Sequence, residues 1–310
     1  MDLPQDHRVV CGAVTLAVQD YGGDGTPVLL LHGGTRNLGD WGTVVPRLAA
    51  RHRVVALDFR SHGASTPCGA EWSFADAIDD VRAVVAALRL EWPWLVGHSI
   101  GGMVATGYAA EGGACRGVVN IDGVGISLPP VLPGPDSDAA RQELQAMIAQ
   151  MAAALAPGAA IPAAPLLSVE ELAQRLSAQR EATARRGESW QVTGPTAERA
   201  WYRREDGRYE ENPSEAAVAA LSQAVAGIDI FALTRRARCP LLFIGAVDPA
   251  AQSGEGADLM QRWRAGVRLA FEQIGRERPE VAWRGLSGDH MLVPYQAAAV
   301  ANALLEFLRL

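Results

Sequence analysis

Short apolar runs alternate with amphipathic helical patterns along the first part of the chain. The run Val28–Leu31 is apolar throughout, which is typical of a strand covered on both faces of a sheet. In Phe74–Leu88 the apolar residues recur every three or four positions, which predicts a helix. We predict further strands at Arg53–Leu57, Trp94–Val96 and Gly117–Ile121. This alternation favours an α/β fold with a mostly parallel, doubly wound sheet that carries helices on both faces.

The alternation stops in the middle of the chain and resumes at Cys239. The intervening residues 125–237 contain no convincing strand and show helical periodicity instead, as at Asp138–Leu155. We therefore predict a core made of residues 1–124 and 238–310. The intervening residues would form a helical lid, inserted between two strands of one sheet.

The composition is that of a folded chain. Hydrophobic residues make up 49% of the 310 residues and charged residues 20%, which supplies enough apolar material for a core and excludes a disordered chain. The net charge of −7 argues against a nucleic-acid-binding protein, which usually carries a basic face, and gives no reason to expect a membrane as partner. All 28 cationic residues are arginine, so chemistry that needs a lysine, such as Schiff-base formation, is excluded.

Cysteine spacing and the N-terminal sequence indicate where the protein works. The four cysteines are far apart and have no metal-binding spacing, so neither a zinc site nor a dense disulfide framework is indicated. Residues Met1–Val10 contain charged residues and a proline where a signal peptide would need an apolar stretch. No run approaches the length of a membrane span. We therefore expect a cytoplasmic protein with no membrane attachment.

The segment Gly97-His98-Ser99-Ile100-Gly101-Gly102 carries the strongest chemical signal. It lies between a predicted strand and a predicted helix, which is the context of a Gly-x-Ser-x-Gly nucleophile turn. A turn sharp enough to raise the Ser99 hydroxyl above the sheet edge needs small neighbours, which explains the flanking glycines. The helix that follows points its first backbone N–H groups at the site, where they stabilise negative charge. The alternative is a glycine-rich turn that contains a serine by chance.

A second turn, His32-Gly33-Gly34-Thr35, follows another predicted strand. A backbone amide of this loop would be one donor of an oxyanion hole, with the Ile100 amide as the other, and Gly34 is the favoured residue. Taken alone, this segment is better explained as a strand-ending turn. In the loop after the next strand, Asp58 and Arg60 are expected to fix loop backbone rather than to react.

A reactive Ser99 needs a histidine base and an acid that orients it. His290 lies between the last predicted strand and the last helix, and it follows the serine in the chain order Ser, Asp or Glu, His. His98 adjoins Ser99, but strand alternation predicts that its side chain points away. Asp248 and Asp122 each follow a predicted strand, at the sheet edge where open α/β sheets bind ligands. The residues alone leave both carboxylates open as the acid.

Taken together, these motifs resemble those of the α/β-hydrolase fold superfamily, over nearly the whole chain outside the lid. The resemblance implies a mostly parallel eight-stranded sheet with a lid after the sixth strand. It also implies Ser99 as nucleophile, His290 as base and Asp248, in preference to Asp122, as acid. It implies a small-molecule substrate, no organic cofactor and no metal. The segments that carry it occur in the usual order: His32-Gly33-Gly34, Asp58-x-Arg60-x-His62-Gly63-x-Ser65, Gly97-His98-Ser99-Ile100-Gly101-Gly102, Gly245-x-x-Asp248 and Gly288-Asp289-His290-Met291.

The function that this resemblance favours is hydrolysis of a carboxylic ester, lactone or thioester through an acyl-enzyme on Ser99. Dehalogenases and epoxide hydrolases of this fold use an aspartate at that position, and the loop at His32 lacks the three consecutive glycines of many lipases. The same triad would also serve carbon–carbon bond hydrolysis, acyl transfer or cyclisation, or cofactor-free perhydrolysis. A ligand-binding protein that keeps the fold without catalysis is the alternative from another class.

The lid contains the candidates for substrate contact. We expect some lid side chains, with Met151, Trp190, Trp201 and Tyr202 as the candidates, to line an apolar pocket above Ser99, which would suit a bulky, largely apolar substrate. The simpler alternative is that these side chains pack on other lid helices.

Overall fold

The structure, a computed structural model, describes residues 3–68, 72–154, 164–247 and 257–309. Its ten strands in these ranges are β1 (Gln5–Cys11), β2 (Val14–Asp20), β3 (Val28–Leu31), β4 (Val54–Leu57), β5 (Trp94–His98), β6 (Gly117–Ile121), β7 (Trp201–Arg203), β8 (Tyr209–Glu211), β9 (Leu241–Val247) and β10 (Val281–Ser287).

Helices flank and connect these strands, and a short 3-10 helix, Leu38–Trp41, follows β3. The α-helices of the described ranges are α1 (Val45–Leu48), α2 (Phe74–Ala87), α3 (Ile100–Ala110), α4 (Ser137–Ala154), α5 (Val169–Arg185), α6 (Trp190–Arg199), α7 (Glu215–Ala226), α8 (Ile230–Arg236), α9 (Ala257–Glu277), α10 (Leu292–Tyr295) and α11 (Ala297–Phe307).

Eight strands form one sheet in the order β1-β2-β4-β3-β5-β6-β9-β10. The pairs β1–β2 and β2–β4 are antiparallel, and the other neighbours are parallel. Because parallel strands run in one direction, the carboxyl ends of β3, β5, β6, β9 and β10 meet at a single edge of the sheet. The predicted mostly parallel, doubly wound α/β sheet is thereby confirmed.

The central strands are buried on both faces, as their apolar sequences predict. Every residue of β3 and β4 is buried. Within β3, Leu29 and Leu31 pack into the core on one face, and Val28 and Leu30 pack into the core on the other. Fully burying such a side chain stabilises the fold by about 1.5–3 kcal/mol. The sheet edge that carries the loops is therefore supported by two apolar layers.

The chain between the adjacent strands β6 and β9 forms an inserted segment, residues 125–237, that contains α4 to α8. The expectation that it holds no strand is wrong, because β7 and β8 pair as a short antiparallel hairpin with Trp201 opposite Glu211. The hairpin reverses at Asp206-Gly207, where Gly207 has φ +81°, a conformation that glycine adopts without strain. Three-residue strands in a polar stretch give too short an alternation for the sequence to predict.

A buried ion pair fastens the inserted segment to the core. The Asp58 side chain is fully buried, and its Oδ2 accepts a hydrogen bond from Arg199 Nε, at the end of α6, over 2.7 Å. The same carboxylate accepts from the backbone N–H groups of Leu38 at 2.8 Å and Ala64 at 2.9 Å. Burial raises the pKa of Asp58, and Arg199 with the two amides opposes that rise without cancelling it. Asp58 thus fixes loop backbone, as expected, and also holds α6.

Two further polar contacts hold the same part of the insertion. Asn212, beyond β8, donates from Nδ2 to the backbone carbonyls of Gly63 and Ser65, both at 2.9 Å. Thr196 of α6 donates its hydroxyl to Asp40 Oδ1 at 2.7 Å. The stretch from α6 to β8 is therefore fixed over the loops that follow β3 and β4.

No single helix in the described ranges has the length and apolar composition of a membrane span. Helices α7 and α8 meet that test only as a pair, with a 64° bend between them.

Arg199→Ala should lower the free energy of unfolding by about 3–5 kcal/mol at neutral pH, because it leaves a buried carboxylate without its cation. The raised folded-state pKa of Asp58 means that the folded state holds this proton more tightly than the unfolded chain does, so stability falls as pH rises through that pKa. Loss of Arg199 strengthens this effect, and the deficit should therefore be larger at about pH 8 than at about pH 5. Urea unfolding at the two pH values measures it.

Arg204→Ala is the matched control, because Arg204 lies in the same insertion but forms an exposed ion pair with Glu210. We expect a loss of about 0–1 kcal/mol with little pH dependence. Equal losses in the two variants would show that Asp58 does not depend on Arg199.

Candidate active site

The turn that carries Ser99 joins β5 directly to α3. Ser99 has φ 52° and ψ −120°, a conformation that is costly for a residue with a side chain. The flanking glycines make this turn feasible. A Cβ on Gly97 would lie 2.1 Å from the backbone of Gly101, and a Cβ on Gly101 would lie 2.3 Å from the carbonyl oxygen of Leu31. Any larger residue at either position would force the strand and the helix apart.

His290 lies in the loop between β10 and α10 and reaches both Ser99 and Asp122. Its Nε2 is 3.0 Å from Ser99 Oγ, and its Nδ1 is 2.7 Å from Asp122 Oδ2. A carboxylate only accepts, so the proton of the neutral ring lies on Nδ1 and leaves Nε2 free to accept from the serine hydroxyl. The geometry is that of a nucleophile, a base and an orienting acid.

The carboxylate that bonds to His290 is that of Asp122, the competitor, whose Oδ2 lies against Nδ1 of the ring. The favoured residue, Asp248, lies outside the described residues, so its role stays a prediction. Both aspartates follow strands that end at the same sheet edge, so strand position alone does not separate them.

Three contacts hold Asp122 at the end of β6. Its backbone adopts φ 52°, and its Oδ1 accepts from the Ala246 amide at 3.0 Å. The side chain of Asn120 holds the backbone of the next residue, Gly123, through two hydrogen bonds. Its Oδ1 accepts from Gly123 N at 2.8 Å, and its Nδ2 donates to Gly123 O at 3.0 Å. Burial would raise the pKa of Asp122, but the hydrogen bonds from His290 and Ala246 outweigh burial and lower it. Asp122 is accordingly ionised at neutral pH.

Asn120 and Ala246 are site residues that the sequence did not reveal. Asn120 acts on the backbone of Gly123, just beyond β6. Ala246 acts through its backbone amide, a contact that depends on the alignment of β6 with β9. No motif of the sequence marks either contact.

The side chain of His98 supports the site, contrary to the expectation that it points away. His98 is buried, and its Nε2 is 2.7 Å from the backbone carbonyl of His290. Because the carbonyl accepts, this nitrogen carries the proton. Burial, with a smaller contribution from His290, lowers the pKa of His98 to about 4, so the ring is neutral at neutral pH. His98 thus positions the backbone of His290 without adding charge beside it.

The two proposed oxyanion donors lie close together, Gly34 in the loop after β3 and Ile100 at the start of α3. A Cβ on Gly33 would lie 3.4 Å from Ser99 Cβ, and one on Gly34 would lie 3.8 Å from Ile100 Cγ2. In the part of the chain that the structure describes, no protein group accepts a hydrogen bond from the Gly34 or Ile100 amide. These amides are therefore available to a substrate oxygen.

His32 ties this loop to the loop after β4. Its Nδ1 donates to Gly33 O at 2.7 Å, and its Nε2 accepts from Phe59 N at 3.0 Å. Burial lowers the pKa of His32 to about 4, so the ring stays neutral and acts as a fixed link.

A cavity of about 990 Å³ opens beside Ser99, Asp122 and His290. Its walls come from the chain after β6, from β9 and β10, and from α9. Its apolar lining includes Val124, Ile126, Phe243, Trp263, Val267 and Trp283. Within the described ranges, no group of three His, Cys, Asp or Glu side chains is arranged to hold a metal ion.

Three of the four lid residues expected in this lining are not found there. Trp190, Trp201 and Tyr202 are absent from the cavity's described walls, and the side chain of Met151 lies outside the described part of the chain. Trp201 instead packs against Arg175, whose guanidinium carbon lies over the Trp201 ring, 5.2 Å from the centre of that ring. The physical reason is that the stretch from α6 to β8 is fixed over the β3 and β4 loops, whereas the cavity opens on the β9 side.

The family of the protein follows from comparison with known sequences. A family model described as the alpha/beta hydrolase fold matches residues 26–299. Because this span covers most of the chain, the protein belongs to the α/β-hydrolase fold family. The resemblance drawn from its motifs is thereby confirmed at the level of the family.

Individual relatives match only part of the chain. A serine hydrolase-like protein of Danio rerio is 44% identical over 88 residues, which is 28% of this chain and 27% of that protein. The 2-(acetamidomethylene)succinate hydrolase of Mesorhizobium japonicum is 33% identical over 126 residues, 39% of this chain and 45% of that protein. Both matches span less than half of the relative's length.

Solved structures match over the full length of the fold. The thioesterase domain from the curacin biosynthetic pathway superposes with a TM-score of 0.66 at 19% identity, covering 98% of this chain and 100% of that domain. At this level of identity the similarity establishes the fold.

Gly97→Ala should lower the free energy of unfolding by about 3 kcal/mol or more, because its Cβ would overlap the backbone of Gly101 and overpacking of a rigid site is costly. Gly227→Ala is the control, since a Cβ there meets nothing within 4 Å and φ is −92°. That variant should be neutral or more stable by about 0.4–1 kcal/mol. Chemical denaturation of both variants gives the comparison, and a tolerated Gly97→Ala would contradict the close approach of β5 and α3.

Proposed function

We propose that this protein is a serine hydrolase that cleaves a carboxylic ester, lactone or thioester through an acyl-enzyme on Ser99. The observation that carries the proposal is the hydrogen-bonded series from Ser99 Oγ to His290 Nε2 and from His290 Nδ1 to Asp122, at 3.0 and 2.7 Å. The names of the Danio rerio and Mesorhizobium japonicum relatives agree with a hydrolytic reaction.

The first half-reaction transfers the acyl group to the enzyme. His290 Nε2 takes the proton from Ser99 as the hydroxyl oxygen attacks the carbonyl carbon. Asp122 keeps the ring in the tautomer that accepts at Nε2 and stabilises the imidazolium that forms. The Gly34 and Ile100 amides bind the oxyanion, and each donor is worth on the order of 3 kcal/mol of barrier. His290 then gives its proton to the departing alcohol or thiol.

The second half-reaction releases the acid. His290 takes a proton from water, the hydroxide attacks the acyl carbon, and the tetrahedral intermediate collapses back to Ser99 with the proton returned from His290. The acid product leaves through the cavity.

The cavity sets the class of substrate. Its volume of about 990 Å³ is at the upper end for small-molecule sites, and its walls are largely apolar. A substrate with a bulky apolar portion fits such walls. The first residues of the inserted segment, Gly125, Ile126, Pro133 and Gly134, line it too. This placement supports the interpretation of residues 125–237 as a lid around a core of residues 1–124 and 238–310.

A fluorophosphonate probe should label the protein at Ser99, and Ser99→Ala should abolish both labelling and turnover of a panel of esters, lactones and thioesters. Peptide mapping of the labelled protein and kcat/KM on the panel are the measurements. Circular dichroism of Ser99→Ala controls for folding. An unlabelled wild-type protein that hydrolyses nothing on the panel would leave a ligand-binding protein as the function.

Asp122→Asn should lower kcat by a factor on the order of 10³–10⁴, because an amide at that position favours the wrong tautomer of His290. Asp248→Asn is the discriminating comparison and should have a much smaller effect. If instead Asp248→Asn is the more damaging change, Asp122 is not the acid of the working enzyme. The kcat values of the two variants, measured on one activated ester at saturation, decide between the two carboxylates.

A further inference from the structure

Helix α9 contributes three arginines to the wall of the cavity that contains Ser99: Arg262, Arg264 and Arg268. The proposed mechanism uses none of them. The chain has a net charge of −7, so a cluster of cations beside a reactive serine does not follow from its composition. Among the described residues, the acidic side chains that share this lining are Asp122, which is bonded to His290, and the exposed Asp258 in the first turn of α9.

Two of the three guanidinium groups have structural partners. Arg262 donates to the backbone carbonyls of Pro133 at 2.8 Å and Pro135 at 2.7 Å, which ties α9 to the inserted segment. Arg268 pairs with Glu272 at 2.8 Å and lies over the ring of Trp283 at 5.5 Å. Each therefore has an explanation within the fold.

Arg264 is engaged differently. Its Nη1 donates to the backbone carbonyl of Ala246 at 3.0 Å. None of the carboxylates that the structure describes forms an ion pair with it. A guanidinium has five N–H donors in a planar fork, and within the described residues the bond to Ala246 engages one of them.

The contact with Ala246 places Arg264 next to the reacting groups. Ala246 accepts from Arg264 through its carbonyl and donates through its amide to Asp122 Oδ1, and Asp122 Oδ2 holds His290. The charge of Arg264 contributes to the lowered pKa of Asp122. Arg264 is half-buried, and its neighbours in the lining, such as Phe243 and Val267, are apolar. A cation in such surroundings attracts an anion more strongly than one in bulk water does.

We propose that Arg264 is an anion-binding residue of the substrate site, which selects esters or thioesters that carry a negatively charged oxygen group, a carboxylate or a phosphate. This inference rests on the proposed hydrolase function and adds the charge of the substrate to it. The substrate then has an apolar body along α9 and β10 and an anionic group in the fork of Arg264. The group does not react and serves to orient the carbonyl at Ser99.

Two matched pairs of substrates test the charge and its source. p-Nitrophenyl hemiglutarate and p-nitrophenyl valerate differ by a carboxylate at the end of the acyl chain. Butyryl-4′-phosphopantetheine and butyryl-pantetheine differ by one phosphate at the end of the leaving group. The readout is the ratio of kcat/KM for the charged substrate to kcat/KM for its neutral partner.

The wild type should favour the charged member of at least one pair. Arg264→Gln keeps a donor for the Ala246 carbonyl and removes the charge, so that ratio should fall roughly 10- to 100-fold. A merely structural role, acting through Asp122, would slow both members of a pair and leave the ratio unchanged. The pair whose ratio falls identifies the anion as a carboxylate or a phosphate.

Arg276→Gln is the control for net charge. Arg276 is exposed on the same helix, three turns further along, and its loss removes the same unit charge. Its ratios should stay within about twofold of the wild type, because an exposed charge roughly 18 Å along the helix is screened at ordinary salt. Arg264→Lys, which keeps the charge but not the fork, should lie between wild type and Arg264→Gln. If the glutamine variant does not fold, salt titration of the wild type replaces it, and the preferred ratio should decline as ionic strength rises.

The proposal is overturned if the wild type favours the neutral member of both pairs. It is also overturned if Arg264→Gln changes neither ratio by more than about twofold, or if Arg276→Gln shifts the ratios equally. If the enzyme hydrolyses all four substrates and Arg264→Gln leaves both ratios unaltered, the anion site is refuted and the hydrolase function stands. A protein that hydrolyses none of them and takes up no fluorophosphonate loses the hydrolase function itself.

Discussion

The register between β5 and β6 is the constraint on which the whole site depends. Gly97 pairs with Asn120 and His98 with Ile121, so Ser99 and Asp122 are the first residues beyond two strands that end side by side. Both then turn into a left-handed conformation with φ 52°, and the Ser99 amide bonds to the Ile121 carbonyl at 2.7 Å. Because both strands are buried on both faces, a shift of one residue would exchange the side chains of two apolar cores. Packing far from the sheet edge thus fixes the distance between Ser99 and Asp122.

Electrostatics at this edge follow from the same alignment. Asp122 would resist ionisation when buried, but the His290 ring and the Ala246 amide bind its charged form and keep its pKa low. The other histidines near the turn, His32 and His98, are held neutral by burial, so they contribute hydrogen bonds and no competing charge. An ionised Asp122 beside the exposed imidazole of His290 is an arrangement suited to general-base chemistry. Arg264, which bonds to the carbonyl of Ala246, adds positive charge near Asp122.

Sequence reasoning reached those parts of the fold and site that local patterns encode. The alternation of strands and helices, the glycine-flanked Ser99 and the loop position of His290 all have a signal within a few residues. The acid could not be settled that way, because Asp122 and Asp248 each follow a strand that ends at the same sheet edge. The contact between Asp122 and His290 depends on the three-dimensional path of the His290 loop. The prediction for the His98 side chain was wrong because strand alternation predicts only the face of the sheet on which a side chain lies. It does not predict that the backbone of His290 passes over that face. The β7–β8 hairpin was missed because three-residue strands show no usable period.

The inserted segment divides into a fixed part and a part that borders the cavity, and this division decides where selectivity resides. The stretch from α6 to β8 is held by the buried Asp58–Arg199 pair and by Asn212, contacts that are costly to break and would have to be remade on every cycle if this stretch moved. Its aromatic side chains, including Trp201, are accordingly occupied in packing. The cavity instead borders α9 and the first residues after β6, where Arg262 binds two proline carbonyls of the insertion. Substitutions on α9 should therefore change which substrates are accepted, whereas substitutions on α6 should change how stable the protein is.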